Sequence, residues 1–328
     1  DIVVIQQLFN RFNELNILII GDVMIDAYLW GKVERISPEA PVPIVSVVKK
    51  ELRLGGASNV ALNLLALGAT PFICALVGDD AGGEDLIQLL NQQQISDAGI
   101  LKVTNRQTTK KTRVIGHNQQ ILRIDDETDV EISSAQTQQV LEKFELLMAN
   151  HKMDAIIFED YDKGLITQEL INAVFNSAKQ KHIPIIVDPK KRNFLSYHEA
   201  DLFKPNLKEL KEGLKLDFDP KDRPSLQQAV SKLQQKIAAK NIMVTLSELG
   251  VYVSTQNQEK LIPAHIRNVA DVSGAGDTVI SVTAACLAAG ADIFMAAEIG
   301  NLAGGLVCEK VGVVPINKAQ LLQEALKL

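Results

Sequence analysis

The chain has 328 residues, 46% hydrophobic and 23% charged, values typical of a soluble globular protein with a sizeable core. Its net charge of -6, with no long basic run, argues against nucleic acid or an anionic membrane surface as the main partner. The longest apolar run, 279–291, is too short to span a membrane, the beginning of the chain has no leader-like pattern, and three scattered cysteines lie in apolar stretches. These features predict a cytoplasmic protein.

Short apolar runs alternate with helical patterns along most of the chain. The runs typical of buried parallel strands are 17–22, 71–77, 154–158, 183–188 and 241–246. A representative helical pattern follows Thr167, a residue suited to cap it, and has apolar residues every three to four positions. The alternation predicts one α/β domain over residues 1–328, with a mostly parallel sheet covered by helices on both faces.

Two segments depart from this alternation, 28–48 and 108–125. The first combines Trp30-Gly, a proline-rich turn and an alternating apolar run, and the second reads as two short strands around Gly116. Together they predict a small β-sheet that stands off the main domain as a lid. Two hairpins at an edge of the main sheet are the alternative interpretation.

A glycine turn, Asp271-Val-Ser-Gly-Ala-Gly-Asp277, opens a helix of small apolar residues. The first amides of a helix are unpaired and carry partial positive charge, and glycines let an anion approach the backbone closely. The amides of Gly274, Ala275 and Gly276 therefore suit the charge on a transferring phosphoryl group. Asp277, in the first helical turn, can accept a proton from an attacking hydroxyl. The alternative is an acidic residue that complements the dipole of an ordinary helix.

This glycine turn resembles the second signature of the ribokinase-like carbohydrate kinases, the PfkB family, although Val282 stands where that signature usually has Ala or Gly. The segment 55–61, followed by Gly68 and Gly78, resembles the family's first signature. The resemblance extends over nearly the whole chain. It implies a ribokinase-like three-layer sandwich with a small β-sheet lid, and a sugar kinase that uses ATP and Mg2+.

The same resemblance implies which residues contact the sugar. Asp22 matches the family carboxylate that binds sugar hydroxyls, whereas Asp26 is open to a structural role. Gly55 and Gly56 let the backbone approach the sugar, and Asn59 can both donate to and accept from its hydroxyls. A tight turn before an apolar helix, 57–67, is the alternative reading of the two glycines.

The nucleotide end is implied by further matches. Asn206-Leu-Lys-Glu209 resembles the family's Asn-x-x-Glu element, which organises Mg2+ and the ATP phosphates, with Mg2+ bound through water. An Asn-capped helix is the alternative, and both can hold. Residues Thr245, Ser247 and Gly250 resemble the strand and turn at the nucleotide, and Asn301 lies on the helix that flanks adenine in relatives. Lys190 can reach ATP phosphates or can be a solvated surface lysine.

A closer resemblance is to the kinase half of the bacterial enzymes that make ADP-heptose. It rests on the segments 21–31, 33–44 and 118–125. It implies phosphorylation of D-glycero-D-manno-heptose 7-phosphate at O1, which gives the 1,7-bisphosphate used for the lipopolysaccharide core. A kinase of another sugar or sugar phosphate is the first alternative, and a non-catalytic sensor on the same fold is the second.

The lid offers cations for the distal phosphate of such a substrate. We expect Arg113 first, then Lys111 and third Arg35, because arginine binds phosphate oxygens in pairs. The exposed strand edges of a lid, and the apolar, proline-rich stretch 40–48, predict a homodimer that pairs lid against lid.

Overall fold

A computed structural model describes residues 2–117, 119–265 and 267–328. Asn118, the first residue of the third segment resembling ADP-heptose enzymes, lies outside them. The strands are, in chain order, β1 Asn16–Gly21, β2 Val23–Ile36, β3 Pro43–Gly56, β4 Thr70–Gly78, β5 Ile100–Val103, β6 Lys110–Gly116, β7 Gln119–Asp126, β8 Ala155–Glu159, β9 Ile185–Asp188, β10 Leu202–Phe203, β11 Asn241–Thr245, β12 Val251–Ser254 and β13 Glu259–Ile262. The helices are α1 Ile2–Arg11, α2 Ala57–Leu67, α3 Ala81–Gln92, α4 Ser134–Asn150, α5 Gln168–Gln180, α6 Leu207–Leu214, α7 Arg223–Ile237, α8 Ala275–Ala288, α9 Ile293–Cys308 and α10 Lys318–Ala325.

The main sheet has nine strands in the order β13-β12-β11-β10-β9-β8-β1-β4-β5. Every pairing from β11 to β5 is parallel, and β12 and β13 add an antiparallel edge. All five apolar runs predicted as parallel strands are confirmed. The chain leaves β1 towards β4 on one side and later returns to β8 on the other. The carboxyl ends of β1 and β8 therefore lie at a switch point, where open α/β sheets bind ligands.

The burial of its strand residues shows why these apolar segments form the main sheet. Residues 17–20 of β1 and 156–158 of β8 are fully buried, as expected for strands covered by helices on both faces. Thr167 caps α5 as predicted, since its hydroxyl accepts the Leu170 amide at 3.2 Å. The small residues of α8 pack along α9, and the described helices include none that is both long and apolar enough to cross a membrane.

The small sheet has the order β3-β2-β6-β7. Its four strands pair only with one another in the described residues, so the alternative of hairpins at the edge of the main sheet is wrong. Strands β2 and β3 extend beyond the predicted segment 28–48, because Ile25, Ala27 and Leu54 are buried in the main core. One face carries Trp30, whose ring stacks on Tyr28 with centroids 6.1 Å apart.

The three cysteines are free thiols, and two match the expected burial. Burial raises the pKa of Cys74 to about 12 and also raises that of Cys286. Cys308, at the end of α9, is only partly buried.

Candidate active site

The N-terminus of α8 begins at Gly274, whose φ of 76° favours glycine. The first helical hydrogen bond joins the Thr278 amide to the Gly274 carbonyl at 3.1 Å, so the amides of Gly276 and Asp277 precede it. Apart from its chain neighbours and the backbone of its own helix, no atom of the described residues lies within 4 Å of the point where a Gly276 Cβ would stand. Of the three amides predicted to hold an anion, that of Ala275 already donates to the Val272 carbonyl at 3.3 Å. Open space and unpaired amides therefore coincide at Gly276.

Asp277 is 5% exposed and receives one hydrogen bond on each carboxylate oxygen. Asn59 donates to Oδ2 at 2.8 Å, and the hydroxyl of Tyr161 donates to Oδ1 at 2.6 Å. Burial raises the pKa of Asp277, and the two hydrogen bonds oppose that rise by stabilising the charged form. The result is a fixed carboxylate that is a stronger base than an exposed aspartate.

The glycine pair before α2 has a structural reason of its own. Gly56 has a φ of 58°, and a Cβ on it would lie 2.4 Å from the Asp22 carbonyl oxygen. A Cβ on Gly55 would lie 2.3 Å from Oδ2 of Asp26. The glycines thus let β3 end against these two aspartates, as the tight-turn interpretation requires. Oδ1 of Asn59, beside them, is buried without a partner among the described residues.

Asp22 and Asp26 have different surroundings. The Asp22 carboxylate accepts the backbone amides of Tyr161 at 2.8 Å and Lys163 at 3.3 Å, and burial raises its pKa. Asp26 instead forms an ion pair with Arg113 at 2.6 Å. Asp22 therefore faces the loop that follows β8, whereas Asp26 is held within the small sheet.

Two of the three cations predicted for the distal phosphate already have anionic partners. Arg113, beyond its pair with Asp26, lies over the Tyr28 ring with Cζ 5.5 Å from the centroid. Lys111 pairs with Asp125 at 3.3 Å and with Glu127 at 2.8 Å. Arg35 is exposed on β2.

Asn206 and Glu209 form a capping box at the start of α6. Each side chain accepts the other's backbone amide at 2.8 Å, which confirms the helix-cap reading. The second oxygen of Glu209 pairs with Lys190 at 2.7 Å, and the Lys190 ammonium lies 5.3 Å from the centroid of the Tyr161 ring. Burial lowers the pKa of Lys190, but Glu209 outweighs it and leaves the pKa raised. Lys190 is therefore a fixed cation of the site, not a freely solvated lysine.

The other residues predicted at the nucleotide lie further along the sheet. Thr245 forms a β-bridge with Asn206. Ser247 and Gly250 shape the turn after it with positive φ angles of 52° and 93°. Asn301, on α9, donates to the Pro263 carbonyl at 3.0 Å.

A group of buried charges lies behind Lys190 at the ends of β8, β9 and β10. Lys204 pairs with Asp188 at 3.2 Å, and Oε2 of Glu159 is buried without a partner among the described residues. Burial raises the pKa of Asp188 to about 7 and that of Glu159 well above its usual value. Sequence reasoning missed these residues. The available signal was their position at the carboxyl ends of buried parallel strands.

Tyr161 was also missed, and it joins the parts of the site. Its hydroxyl contacts Asp277, its amide contacts Asp22, and its ring lies beside Lys190. The predicted sugar carboxylate, the predicted base and a predicted phosphate-binding lysine therefore converge on one residue of the loop after β8. That arrangement places a buried carboxylate, which can accept a proton from a hydroxyl, beside the open N-terminus of α8.

The sequence profile of the pfkB family carbohydrate kinases matches residues 14–319. The chain belongs to the pfkB family of carbohydrate kinases. As a pfkB kinase it is a phosphotransferase that acts on a sugar, with ATP implied as the phosphoryl donor.

Solved structures agree on the ribokinase-like fold. Phosphofructokinase-2 from Escherichia coli in complex with potassium has a TM-score of 0.77 and 18% identity, and covers 95% of this chain and 98% of its own. The Arabidopsis thaliana ribokinase with ribose and ATP has a TM-score of 0.72 and 16% identity, and covers 96% of this chain and 99% of its own.

Closer sequence relatives are bifunctional proteins named HldE. That of Pelobacter propionicus is 38% identical over 97% of this chain and 64% of its own length. That of Helicobacter hepaticus is 41% identical over 94% of this chain and 63% of its own length. The chain thus spans just under two thirds of these relatives.

Proposed function

We propose that this pfkB kinase transfers the γ-phosphoryl group of ATP to O1 of D-glycero-D-manno-heptose 7-phosphate, in the synthesis of ADP-heptose. The observation that carries the chemistry is the buried carboxylate of Asp277 beside the open helix terminus at Gly276. The identity of 38–41% to HldE proteins and the three segments that resemble ADP-heptose enzymes support the choice of sugar.

Each site residue has a role in this proposal. Asp277 accepts the proton of the O1 hydroxyl as it attacks. The first-turn amides at Gly276 stabilise charge on the moving phosphoryl group, with Gly274 fixing the turn. Asp22 and the free Oδ1 of Asn59 accept hydrogen bonds from sugar hydroxyls.

The nucleotide lies along the ends of β9 to β12 in this proposal. Lys190 contacts the ATP phosphates, and Thr245, Ser247, Gly250 and Asn301 line the nucleoside. Both oxygens of Glu209 already accept hydrogen bonds, so the donor set fits a Mg2+ ion that keeps its water shell between itself and Asn206 and Glu209. Mg2+ would neutralise charge on the β- and γ-phosphates.

The small sheet acts as a lid and as a dimer surface in this proposal. Strand β7 is exposed along its length and includes Leu122 and Ile124, 47% and 48% exposed. Exposed apolar residues on an edge strand favour pairing with another chain. The proposed partner is a second copy of this chain.

A panel of acceptors at fixed ATP tests the proposal by ADP release. The panel contains heptose 7-phosphate, unphosphorylated heptose, fructose 1-phosphate, fructose 6-phosphate and ribose. We expect the highest kcat/KM for heptose 7-phosphate. A higher value for another acceptor would assign the kinase to that sugar, and tight sugar binding without turnover would support a non-catalytic sensor.

A further inference from the structure

Two lysines from different parts of the molecule share one carboxylate. Lys111, on β6 of the small sheet, and Lys163, on the loop after β8, each place their ammonium 2.8 Å from Oε2 of Glu127. Their side chains are 17% and 18% exposed, so these ammonium groups are partly shielded from water. Partial burial strengthens their electrostatic interactions.

The loop that carries Lys163 also contacts the residues proposed to bind the acceptor sugar. The backbone amide of Lys163 donates to the Asp22 carboxylate, and Tyr161, two residues earlier, donates to Asp277. The loop therefore runs from the proposed base, past the proposed sugar carboxylate, to Lys163. Lys111 stands opposite Asp26 in the pairing of β2 with β6. A sugar bound between Asp277 and Asp22 would therefore extend along the loop that carries Lys163.

The anionic partner of each cation indicates whether these lysines or the arginines of the small sheet are available to bind a phosphate. Arg113 has its own buried carboxylate, Asp26, at 2.6 Å, and Arg53 has Glu51 at 2.7 Å. A phosphate at Arg113 would therefore meet a carboxylate that is already buried beside it, and like charges repel strongly there.

The positive charges of the two lysines are neutralised less completely, because their carboxylate partners are shared. They share Glu127, and the other carboxylate near Lys111, Asp125, is shared with Arg123 at 2.8 Å. Arg106 adds a positive charge on the same side. In the part of the chain that the structure describes, its guanidinium donates to the carbonyls of Val130 and Lys163 and forms no ion pair. Three cations, Lys111, Lys163 and Arg123, thus share two carboxylates in these ion pairs, an excess of positive charge that an added anion would reduce.

We propose that Lys163 and Lys111 bind the distal phosphate of the acceptor, and that Glu127 holds the two ammonium groups until the phosphate replaces it. A dianionic phosphate offers more acceptor oxygens than one carboxylate, so it displaces Glu127 from the lysines. Arg113 then has a different role: it holds Asp26 in place within the small sheet. This inference rests on the proposed function only in assuming a phosphorylated acceptor.

The experiment compares KM for a phosphorylated sugar with KM for the same sugar without its phosphate. Losing one charged hydrogen bond in Lys163→Met or Lys111→Met is expected to raise KM for the phosphorylated form about 10–100-fold. KM for the unphosphorylated form and KM for ATP change little. Lys163→Arg keeps the charge and is expected to retain most of the preference. Glu127→Gln removes the competitor and is expected to lower KM for the phosphorylated form and to strengthen inhibition by inorganic phosphate.

Two variants serve as controls. Lys179→Met removes a lysine that pairs with Glu199 at 3.1 Å on the surface, and is expected to behave as wild type. Arg113→Met is expected to change both KM values equally, because it disturbs Asp26. Thermal unfolding of each variant checks that it folds, and the Lys111 variant carries the test if the Lys163 variant does not.

Equal changes for both sugar forms in the lysine variants, or a phosphate-selective change in Arg113→Met, would overturn the inference. So would weaker phosphate inhibition in Glu127→Gln. A wild-type preference for another phosphorylated sugar would refute the heptose assignment alone, and the same KM ratio would still test the lysines. A wild-type preference for unphosphorylated sugars would overturn both.

Discussion

The carboxyl end of the main sheet and the outer strand of the small sheet, β7, hold their polar groups in opposite ways. At the main sheet, Asp277, Asn59 and Tyr161 are joined by short hydrogen bonds within a buried network. On the small sheet, strand β7 is exposed, and Arg123 pairs with Asp125 near the surface. Exposed ion pairs contribute about 0–1 kcal/mol, whereas hydrogen bonds to a charged group contribute about 1.5–3 kcal/mol.

The contrast between a buried network and exposed ion pairs fits two different functions. In the proposed function, the groups that need fixed geometry lie in the buried network at the end of the main sheet, whereas the outer strand of the small sheet carries exposed side chains and a surface ion pair. Substitutions at the main sheet should therefore change turnover most, and substitutions on the small sheet should change substrate preference or assembly.

The largest effect is expected for Asp277→Asn. Loss of a general base lowers rates by about 10²–10⁴-fold, and the amide keeps the shape of the side chain. We expect kcat to fall by that amount while ATP binding, measured by calorimetry, stays unchanged. Turnover near that of the wild type would refute the assignment of the base.

Two glycines of one turn are expected to separate stability from catalysis. Gly276→Ala meets no atom within 4 Å, so the protein should fold normally, yet the methyl group enters the space proposed for the phosphoryl group. We expect kcat to fall about 10–100-fold, since small misplacements at a reacting centre have effects of this size.

The neighbouring Gly274→Ala is the matched comparison. Its φ of 76° and a Cβ only 3.0 Å from Val313 are expected to lower the free energy of unfolding by about 1–3 kcal/mol. Unfolding by denaturant measures this. Normal turnover in Gly276→Ala would show that the open space is not used.

Tyr161→Phe tests a smaller contribution of the buried network. The lost hydrogen bond stabilised the charged form of Asp277, so its pKa, already raised by burial, should rise further. The base is active when ionised, so activity is lost as pH falls through this pKa. We expect the acid limb of the kcat/KM profile to move to higher pH and the neutral-pH value to fall about 10-fold.

Tyr197→Phe is the matched control for that experiment. Tyr197 is another buried phenol that donates to a buried carboxylate, Asp160, at 2.7 Å, but it does not contact Asp277. Its pH profile should match the wild type. Equal shifts in both variants would indicate a general loss of packing.

The smallest effect on turnover is expected from Leu122→Glu combined with Ile124→Glu. Two charges at the proposed lid contact should weaken the dimer by about 10–100-fold, because burying unpaired charge is unfavourable. Light scattering across protein concentrations measures this. Leu146→Glu, at a 58% exposed residue of α4, is the control and should leave the mass unchanged. A wild-type monomer with full activity at micromolar concentration would contradict the dimer.

Local patterns made much of the fold predictable. The strands β1, β4, β8, β9 and β11 are continuous apolar runs, and Asp277 follows glycines at a helix start, so each signal lies within a few residues. The small sheet was found, but its extent was not. Strand β2 passes from the core to the outside without a break in pattern, so the predicted segment, which begins at residue 28, omits the buried beginning of the strand near Ile25.

The contacts of Tyr161, Lys163 and Lys204 could not be read from the sequence. Tyr161 meets Asp277 only because β8 lies beside β1 and α8 packs over them, a consequence of strand order across more than a hundred residues. The pairing of Arg113 with Asp26 is equally non-local. Sequence identified Arg113 as a cation of the lid, but its nearest anion decides whether it is available to a phosphate.

The stacked ring of Trp30 on the small sheet has an optical consequence. The chain contains one tryptophan, so the intrinsic indole emission comes from this sheet alone. Its ring lies against Tyr28, and Tyr28 in turn lies beneath the guanidinium of Arg53, which donates to the Val313 carbonyl of the main domain. We expect a change in the angle between the two sheets to alter the surroundings of this one fluorophore, so its emission would report movement of the small sheet in the native protein.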